Sequence, residues 1–422
     1  MDSATTMPAA RPLAFYIHSV RSGLGAEKVV LNVVSGLAGR GHEIDLLIED
    51  AEGDLSERLP AGVNLVDLGP ATLNPVMEAL LSTLSLLINL FRRAKADPCG
   101  KESFRVALAR FLFKRRPPLY ALRRYLFRRR PQAIISFLNY PNIALLLAAQ
   151  LGKGDARIYV NVRNNISGEV AGAKSRRMRE MPVLMRNLFP LADGVVAVSG
   201  GVAADTERLM DMPAGRVTAI FNPVYRPQIL ALADAAAPHP WLQTDSLPVV
   251  LGVGKMKPQK DFPTLLKAFA LLRQEHPAKL IILGDGAGKE GLEALAETLG
   301  IRADVAFPGY VANPYAYFRH ASLFVLSSAW EGLPNVLIEA MACGCPVVST
   351  DCPSGPSEIL DGGRFGRLVP VGDYEEMAKA IRETLEQTAA PAALAEHALR
   401  FSFDRVIDRY DRLLTRGSVE DR

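Results

Sequence analysis

The sequence predicts an α/β protein built from two doubly wound, Rossmann-like parallel-sheet domains. Three observations carry this: short Val/Ile/Leu runs alternate with longer helical patterns, the alternation stops once at a proline-rich break, and it then restarts. With 422 residues, 49% hydrophobic and 22% charged, the chain can fill two cores and has no compositional reason for disorder.

Strands of the first domain are expected at residues 13–19, 43–49, 132–137, 156–162, 194–199 and 216–221, with a helical pattern over 26–41 between the first two. Residues 222–248 hold five prolines and lose periodicity, which marks an interdomain linker. Strands resume at 248–254, 278–286, 304–310, 322–328 and 345–350. The domains are therefore read as 1–225, a linker over 226–245, and 246–395. Over 396–422 a last helix places Phe403, Val406, Ile407, Tyr410, Leu413 and Leu414 near one face, which needs a docking surface on either domain.

Cys99, Cys343, Cys345 and Cys352 form no paired C-x-x-C array and have no histidine beside them, so neither zinc nor a disulfide framework is expected and a reducing, cytosolic compartment fits. The first residues lack the charge and apolar pattern of a signal peptide. No window reaches the length of an uncharged membrane span; the nearest, 76–91, carries Glu78, Ser82, Ser85 and Asn89 and reads as amphipathic.

Charge is distributed unevenly. Residues 92–130 hold fourteen Lys/Arg against Asp97 and Glu102, a local charge of +12 in a chain whose total is +4, leaving the remainder at about −8. Phe104, Phe111, Leu112, Phe113, Tyr120, Tyr125, Leu126 and Phe127 interleave with the basic residues, as in amphipathic helices on an anionic membrane. Residues 75–130 are thus expected to face such a surface. No recognised nucleic-acid-binding motif accompanies them, so nucleic acid is not expected as a partner.

Glycine turns follow several of the expected strands. Gly23-Leu24-Gly25 permits close approach of an anion, but Lys28 occupies the third glycine position of a dinucleotide fingerprint. Gly284-Asp285-Gly286-Ala287-Gly288-Lys289 lacks the first glycine and the final Ser/Thr of a phosphate loop, which excludes that class of ATPase. Lys255 and Lys260 leave the carboxyl end of a strand, where a ligand phosphate would sit in a doubly wound fold.

The richest stretch is 331–350, E-G-L-P-N-V-L-I-E-A-M-A-C-G-C-P-V-V-S-T. Glu331 lies in a strand-to-helix loop, Pro334 suits a first helical turn, and Gly332 and Leu333 offer N–H groups where a diphosphate is best stabilised. Glu339 falls about a turn and a half into the helix, within reach of a vicinal diol such as a ribose, and Gly344 closes it. Each carboxylate alone would stabilise a helix dipole without any ligand, and a pair of them would ordinarily suggest a hydrolase. Together with the lysines and glycine turns they favour binding of a nucleotide sugar.

With these residues the sequence resembles the retaining glycosyltransferases of family 4. Their GT-B fold sets two Rossmann-like domains face to face across a cleft, and their E-x7-E motif runs typically E-G-x-P-x-x-x-x-E-A-x-A-x-G-x-P-V-V. The chain matches it at Glu331-Gly332-Leu333-Pro334, Glu339-Ala340-Met341-Ala342, Gly344 and Pro346-Val347-Val348. The likeness extends to Gly25-Ala26-Glu27, Gly254-Lys255, Lys260-Asp261, Gly284-Asp285-Gly286 and Phe307-Pro308-Gly309.

The resemblance implies a donor set of Gly25, Lys255, Lys260, Gly284, Gly309, Tyr310, Val311, Gly332, Leu333, Pro334, Asn335 and Glu339. Gly25 and the Gly332-Leu333 turn would face the diphosphate, the lysines neutralise it, Glu339 hold the ribose, and the base rest near Gly309 to Val311. Glu331 would face the transferred sugar. Two lysines and a helix start stabilise a departing nucleoside diphosphate without a metal, so no metal and no cofactor are expected. Many family members place a histidine near the donor sugar, but residues 100–200 contain none. Local likeness to a subgroup with I-S-F-L-x-x-x-N, here Ile135 to Leu138 and Asn142, implies instead Asn139, Arg163 and Asn164 as substrate contacts.

That subgroup mostly extends lipid-linked or polysaccharide glycans with hexoses or N-acetylhexosamines. The implied enzyme is a metal-independent, retaining hexosyltransferase that uses a nucleotide sugar, UDP in particular, on a glycan or polyprenyl-linked acceptor in polysaccharide, lipopolysaccharide or lipid-linked oligosaccharide synthesis. It would work in the cytoplasm at the inner face of the cell membrane. A sugar-nucleotide epimerase or phosphorylase on the same fold, or a non-catalytic nucleotide-binding subunit, are the alternatives.

Overall fold

The computed structural model describes residues 11–20, 25–50, 59, 62–69, 104–115, 118–173, 175–243, 247–387 and 390–419. Gly23, Leu24, Cys99, the 76–91 stretch and the basic residues of 92–101 lie outside them.

Seven strands form the first sheet: β1 (Leu13–Tyr16), β2 (Ile44–Ile48), β3 (Val63–Asp67), β4 (Ala133–Phe137), β5 (Arg157–Val162), β6 (Gly194–Ala197) and β7 (Val217–Ala219). All pair in parallel, in the order β3-β2-β1-β4-β5-β6-β7. The helices that cover this sheet are α1 (Gly25–Ala38), α2 (Phe104–Arg115), α3 (Leu119–Arg129), α4 (Asn139–Gln150), α5 (Ile166–Ala171), α6 (Arg176–Leu188) and α7 (Gly200–Met210). β1, β2 and β4 are buried along their whole length, as continuous apolar runs require when both faces of a parallel sheet are covered.

The expected linker is not structureless: it contains α8 (Pro227–Ala233) and a short 3₁₀ turn at Pro240–Leu242. Pro227 and Pro240 stand at or beside the first positions of these turns, where proline is tolerated. The proline-rich composition reflects these starts as much as it does a connection.

A second parallel sheet follows, of β8 (Val249–Val253), β9 (Lys279–Leu283), β10 (Val305–Gly309), β11 (Leu323–Leu326), β12 (Val347–Thr350) and β13 (Arg367–Val369), in the order β10-β9-β8-β11-β12-β13. Its helices are α9 (Phe262–Glu275), α10 (Lys289–Thr298), α11 (Tyr315–His320), α12 (Asn335–Ala342), α13 (Pro356–Ile359), α14 (Tyr374–Glu386) and α15 (Pro391–Ala398). β3 and β13, which the sequence pattern does not announce, are edge strands whose burial is partial.

The last helix, α16 (Phe403–Arg416), returns to the first domain. Val406, Ile407, Tyr410, Leu413 and Leu414 join the core formed with β1, β2, β4 and α1. Gly36 of α1 makes the approach possible, since a Cβ there would fall 2.6 Å from Ile407. Asn161 donates to the Tyr410 hydroxyl at 3.0 Å, and Arg157 caps the helix end by donating to the carbonyls of Leu414 and Thr415.

Candidate active site

In each sheet the strand order reverses beside the first strand, between β1 and β4 and between β8 and β11, and the crevice outside such a switch point is where doubly wound folds take ligands. Contacts between the two domains bring these crevices together. The Glu331 carbonyl accepts from Asn165 N at 3.2 Å, the Gly332 carbonyl accepts from Ser199 Oγ at 2.8 Å, and Asn165 Nδ2 donates to Ser354 Oγ at 2.9 Å. Glu358 accepts from the first two N–H groups of α7, at 2.7 and 2.8 Å, a carboxylate from one domain on a helix start of the other.

On the second domain's side the strand ends approach too closely for side chains. A Cβ on Gly284 would fall 2.1 Å from the Gly254 carbonyl oxygen, and one on Gly286 would fall 2.7 Å from that of Met256. Beside this bare edge the loop after β8 is clamped to the loop after β11: Ala329 N donates to the Gln259 carbonyl, Gln259 Nε2 to the Trp330 carbonyl and Ser327 Oγ to the Lys260 carbonyl. The clamp fixes Lys260, whose Nζ lies 2.7 Å from Glu331 Oε1. Ser328 Oγ donates to the same oxygen at 2.7 Å. Lys255 and Lys257 are exposed on this loop. Loss of hydration in the cleft holds the Lys257 ammonium below the usual lysine range; Lys260 and Lys255 add to this, and Glu331 and Glu169 oppose it.

Across the cleft, Leu138 adopts φ +78°, a conformation unfavourable for a branched side chain, and so starts α4 with Asn139 at the carboxyl end of β4. Asn139 Nδ2 donates to Glu169 Oε2 at 3.1 Å and Asn164 Nδ2 to Glu169 Oε1 at 2.8 Å. Burial pushes the Glu169 carboxyl up, against the pull of the two amides and of Lys257. Helix α5, which carries Glu169, is glycine-bearing for a reason: Cβ atoms on Gly168 and Gly172 would fall 2.7 and 2.6 Å from the Trp330 side chain. Gly332 is likewise required, because a Cβ there would lie 2.2 Å from the Arg163 carbonyl oxygen.

Glu339 is buried on α12 and meets the first domain through Lys28 of α1, whose Nζ is 3.7 Å away. Lys28 donates to the Tyr315 hydroxyl at 3.1 Å, and that hydroxyl donates to Glu339 Oε1 at 3.4 Å. Burial raises the Glu339 carboxyl, with Lys28 and Tyr315 restraining the rise.

Residues 24–226 match the sequence family described as Glycosyltransferase Family 4, and residues 238–401 match Glycosyl transferases group 1. A lipopolysaccharide core biosynthesis glycosyltransferase of Rhizobium meliloti, LpsE, is 31% identical over 247 residues, 57% of this chain and 69% of that protein. The chain belongs to glycosyltransferase family 4. A Campylobacter jejuni relative, named as an N-acetylgalactosamine-N,N'-diacetylbacillosaminyl-diphospho-undecaprenol 4-alpha-N-acetylgalactosaminyltransferase, is 30% identical over 261 residues. That match covers 59% of this chain and 66% of the relative, just under two thirds of its length. Among solved structures, sucrose-phosphate synthase of Thermosynechococcus elongatus superposes with TM-score 0.73 at 19% identity over 97% of this chain and 99% of its own. The lipopolysaccharide outer core galactosyltransferase WaaB does so with TM-score 0.68 at 19% identity, over 96% and 99%. The fold is GT-B.

Within this family 4 fold the expected site residues separate into groups. Lys260, Glu331, Gly332 and Gly284 converge on one edge, and Gly309, with φ +86°, adjoins it because its carbonyl accepts from Gly284 N at 2.8 Å. Tyr310, 66% exposed, is braced by Asp285, which accepts from its N–H at 2.9 Å, and Val311 follows it half-buried. Pro334 is the N-cap of α12 rather than its first helical residue, which puts Leu333 just ahead of the helix. Asn335 opens α12 and accepts a 2.5 Å hydrogen bond from Asn222 of the first domain. Gly25 begins α1, with no neighbour within 4 Å of its Cβ position.

Arg163 stands apart. Its carbonyl backs Gly332, but its guanidinium turns to the Phe137 ring, 6.0 Å from the centroid, and its buried Nε and Nη1 have no hydrogen-bond partner among the described residues. Glu169, Lys257, Lys28, Tyr315, Ser328 and Trp330 were not singled out from sequence. Lys257 belongs to a run of lysines that could have flagged it; Glu169 carries no such signal, since its setting depends on Asn139, thirty residues away, as well as on Asn164 just ahead of its own helix.

Among the described residues no group of three or more His, Cys, Asp or Glu is placed to hold a metal ion, and no described helix is long and apolar enough to cross a membrane. A concavity of about 510 Å³ lined by Lys267, Arg273, Asp304 and Tyr374 involves none of the residues assembled here.

Proposed function

We propose that the chain transfers a hexose or N-acetylhexosamine from a UDP-sugar to a glycan acceptor carried on a lipid, with retention of configuration and without a metal ion. The reading rests on one observation: the Lys260–Glu331 pair sits beside a glycine edge with no room for side chains, facing the first domain's switch point. A bare backbone edge with Lys255, Lys257 and Lys260 suits a diphosphate, because a departing nucleoside diphosphate needs cations already in place where charge develops. Glu331 would then face the sugar carbon as it gains positive character, and Glu339 the ribose hydroxyls. On the other wall Asn139, Asn164 and Glu169 offer hydrogen bonds to sugar hydroxyls.

The names of the relatives agree in kind: one acts on a diphospho-undecaprenol-linked acceptor and another in lipopolysaccharide core synthesis. Among neighbours of the same fold, Anabaena HepE was solved with UDP-glucose. Of the apolar residues interleaved with the basic ones, Phe104, Phe111, Tyr125 and Leu126 are buried in the core and do not face outward, but Arg124, Arg128 and Arg130 are exposed on α3 and at its end together with Phe127, 70% exposed. Such a surface suits the cytoplasmic face of an anionic membrane, at roughly 1 kcal/mol per basic residue near the lipid.

The test is a panel of nucleotide sugars with a membrane glycolipid extract as acceptor source, read as nucleotide released and as product mass, with and without EDTA. A mass gain of one sugar from a UDP donor, unaffected by EDTA, is expected. Turnover of the nucleotide sugar without any acceptor product would replace transfer with epimerase chemistry.

A further inference from the structure

A second polar cluster lies at the carboxyl ends of β1 and β2, centred on Glu49. The Tyr16 hydroxyl donates to Glu49 Oε1, the Tyr140 hydroxyl donates to Oε2 at 3.0 Å, and His18 Nδ1 lies 3.3 Å from that same oxygen. Tyr16 is fully buried, and burial together with Glu49 pushes its hydroxyl well above the ordinary value, so it remains a neutral donor. Glu49 is 12% exposed and His18 49% exposed. The His18 ring meets the Tyr140 ring edge-on, 5.5 Å between centroids.

The two tyrosines and Glu49 suffice to tie β1, β2 and α4 together. A half-exposed imidazole adds little to that purpose. With Nδ1 directed to a carboxylate, which only accepts, Nδ1 carries a proton and Nε2 is the nitrogen left over; it has no hydrogen-bond partner among the described residues.

The position is informative. Tyr140 follows Asn139, which bonds Glu169 on the wall opposite Lys260 and Glu331. The second domain's edge holds the cations and bare backbone that suit a nucleotide sugar, so the hydroxyl that reacts with it comes from the first domain's side. Phe111 of α2 packs on Tyr140 with centroids 5.4 Å apart, which joins the cluster to the basic helix pair at the surface.

We propose that His18, oriented by Glu49 and flanked by Tyr140, makes a hydrogen bond to a hydroxyl of the glycan acceptor. This rests on the glycosyl-transfer reading above. No covalent bond changes at His18: a hydroxyl both donates and accepts, so Nε2 engages it in either protonation state. The neighbouring Tyr140 offers an aromatic edge beside the same hydroxyl. His18 is thus an acceptor-positioning residue on the first domain's wall of the cleft.

Its test uses the full chain, the UDP-sugar that is turned over in the donor panel, and a membrane glycolipid extract. His18→Ala should raise the half-saturating amount of extract about tenfold, with UDP affinity within about twofold, and His18→Gln, which restores a hydrogen-bonding side-chain end, should recover most of the loss. An unchanged half-saturation in His18→Ala overturns the proposal, and so does an equal loss of acceptor and UDP affinity, which would place His18 with the donor or the fold. If the wild type transfers sugar from no donor, the transfer reading fails on its own. The cluster is then read from the ¹⁵N imidazole shifts of His18 in the UDP-saturated protein titrated with octyl N-acetylglucosaminide and octyl glucoside. Saturable shifts support it, and their absence overturns it.

Discussion

Lys260 Nζ lies 2.7 Å from Glu331 Oε1, so a cation suited to a donor diphosphate is already paired with the carboxylate that would face the transferred sugar. Both side chains are largely buried, 14% and 9% exposed. A diphosphate entering this edge must share Lys260 with Glu331, and each group is held in place by the other until it does.

Glu331→Ala is therefore expected to separate binding from chemistry. Transfer should fall by about a hundredfold or more, whereas UDP should bind at least as tightly, because Lys260 loses its internal competitor. Calorimetry and single-turnover rates check this pair of outcomes; a parallel loss of both would show that Glu331 mainly holds the loop.

Lys257 carries the next expectation. Its ammonium is held below the usual range by partial loss of hydration and by Lys260 and Lys255, a strain that a bound diphosphate would relieve. Lys257→Ala should weaken UDP binding by about tenfold and flatten its dependence on salt, while uridine affinity changes little. Equal losses for UDP and uridine would remove it from the phosphate site.

Gly332→Ala tests the closeness of the two domains. The added methyl would fall 2.2 Å from the Arg163 carbonyl oxygen and 2.9 Å from Asn164 Cα, both backbone atoms that cannot swing aside. The two domains must part locally, so activity should drop by more than tenfold, with a smaller change in melting temperature than a core cavity gives. Full activity in this variant would mean that the paired arrangement is not the working one.

Asp45 anchors the basic helix α3, and its effect has a defined pH window. Its buried carboxylate accepts from Tyr125 at 2.6 Å, from Arg129 at 3.0 and 3.1 Å and from Asn64 at 3.0 Å. Burial alone would raise its carboxyl, but these partners outweigh it and hold it below the ordinary value. A depressed carboxylate stabilises the fold above its unfolded value, near 4, and loses that contribution as pH falls through the folded one. Asp45→Asn should thus cost about 2–3 kcal/mol at pH 7, allowing for Arg129 being 42% exposed, and the gap to wild type should narrow below about pH 4 in thermal melts.

Liposome sedimentation addresses the basic surface. Wild type should pellet with anionic vesicles and be released by salt, and Phe127→Ala should bind at least threefold more weakly. Equal pelleting with neutral vesicles would speak against the electrostatic account.

Much of the architecture is written in the sequence because fully buried parallel strands must be continuous apolar runs. Nine of the described strands carry that signature; the four that fall short of it, β3, β7, β10 and β13, are the sheet edges, whose partial burial does not require apolar residues throughout, and β3 and β13 are the two of them that the pattern leaves out. The helix start inside residues 331–350 was legible for a related reason, as helix-start chemistry is local. The setting of Glu169 was not: it takes its place on the cleft wall only when Asn139 and Asn164, 25 positions apart, close on it. Lys28 misled in a useful way, for the side chain that breaks the dinucleotide fingerprint is the one that reaches Glu339 across the cleft. The docking side of α16 was equally hidden, since an apolar helical face does not name its partner.

That helix has a consequence for biogenesis. The first domain's core is closed by Val406, Ile407, Tyr410, Leu413 and Leu414, so it is completed by residues made only after the whole of the second sheet. At 5–20 residues per second, on the order of 10–40 s separates synthesis of β7 from that of α16. During that interval the apolar faces of α1 and of β1, β2 and β4 await their cover, and a nascent chain stalled or cleaved before residue 403 would leave them open to chaperones and proteases.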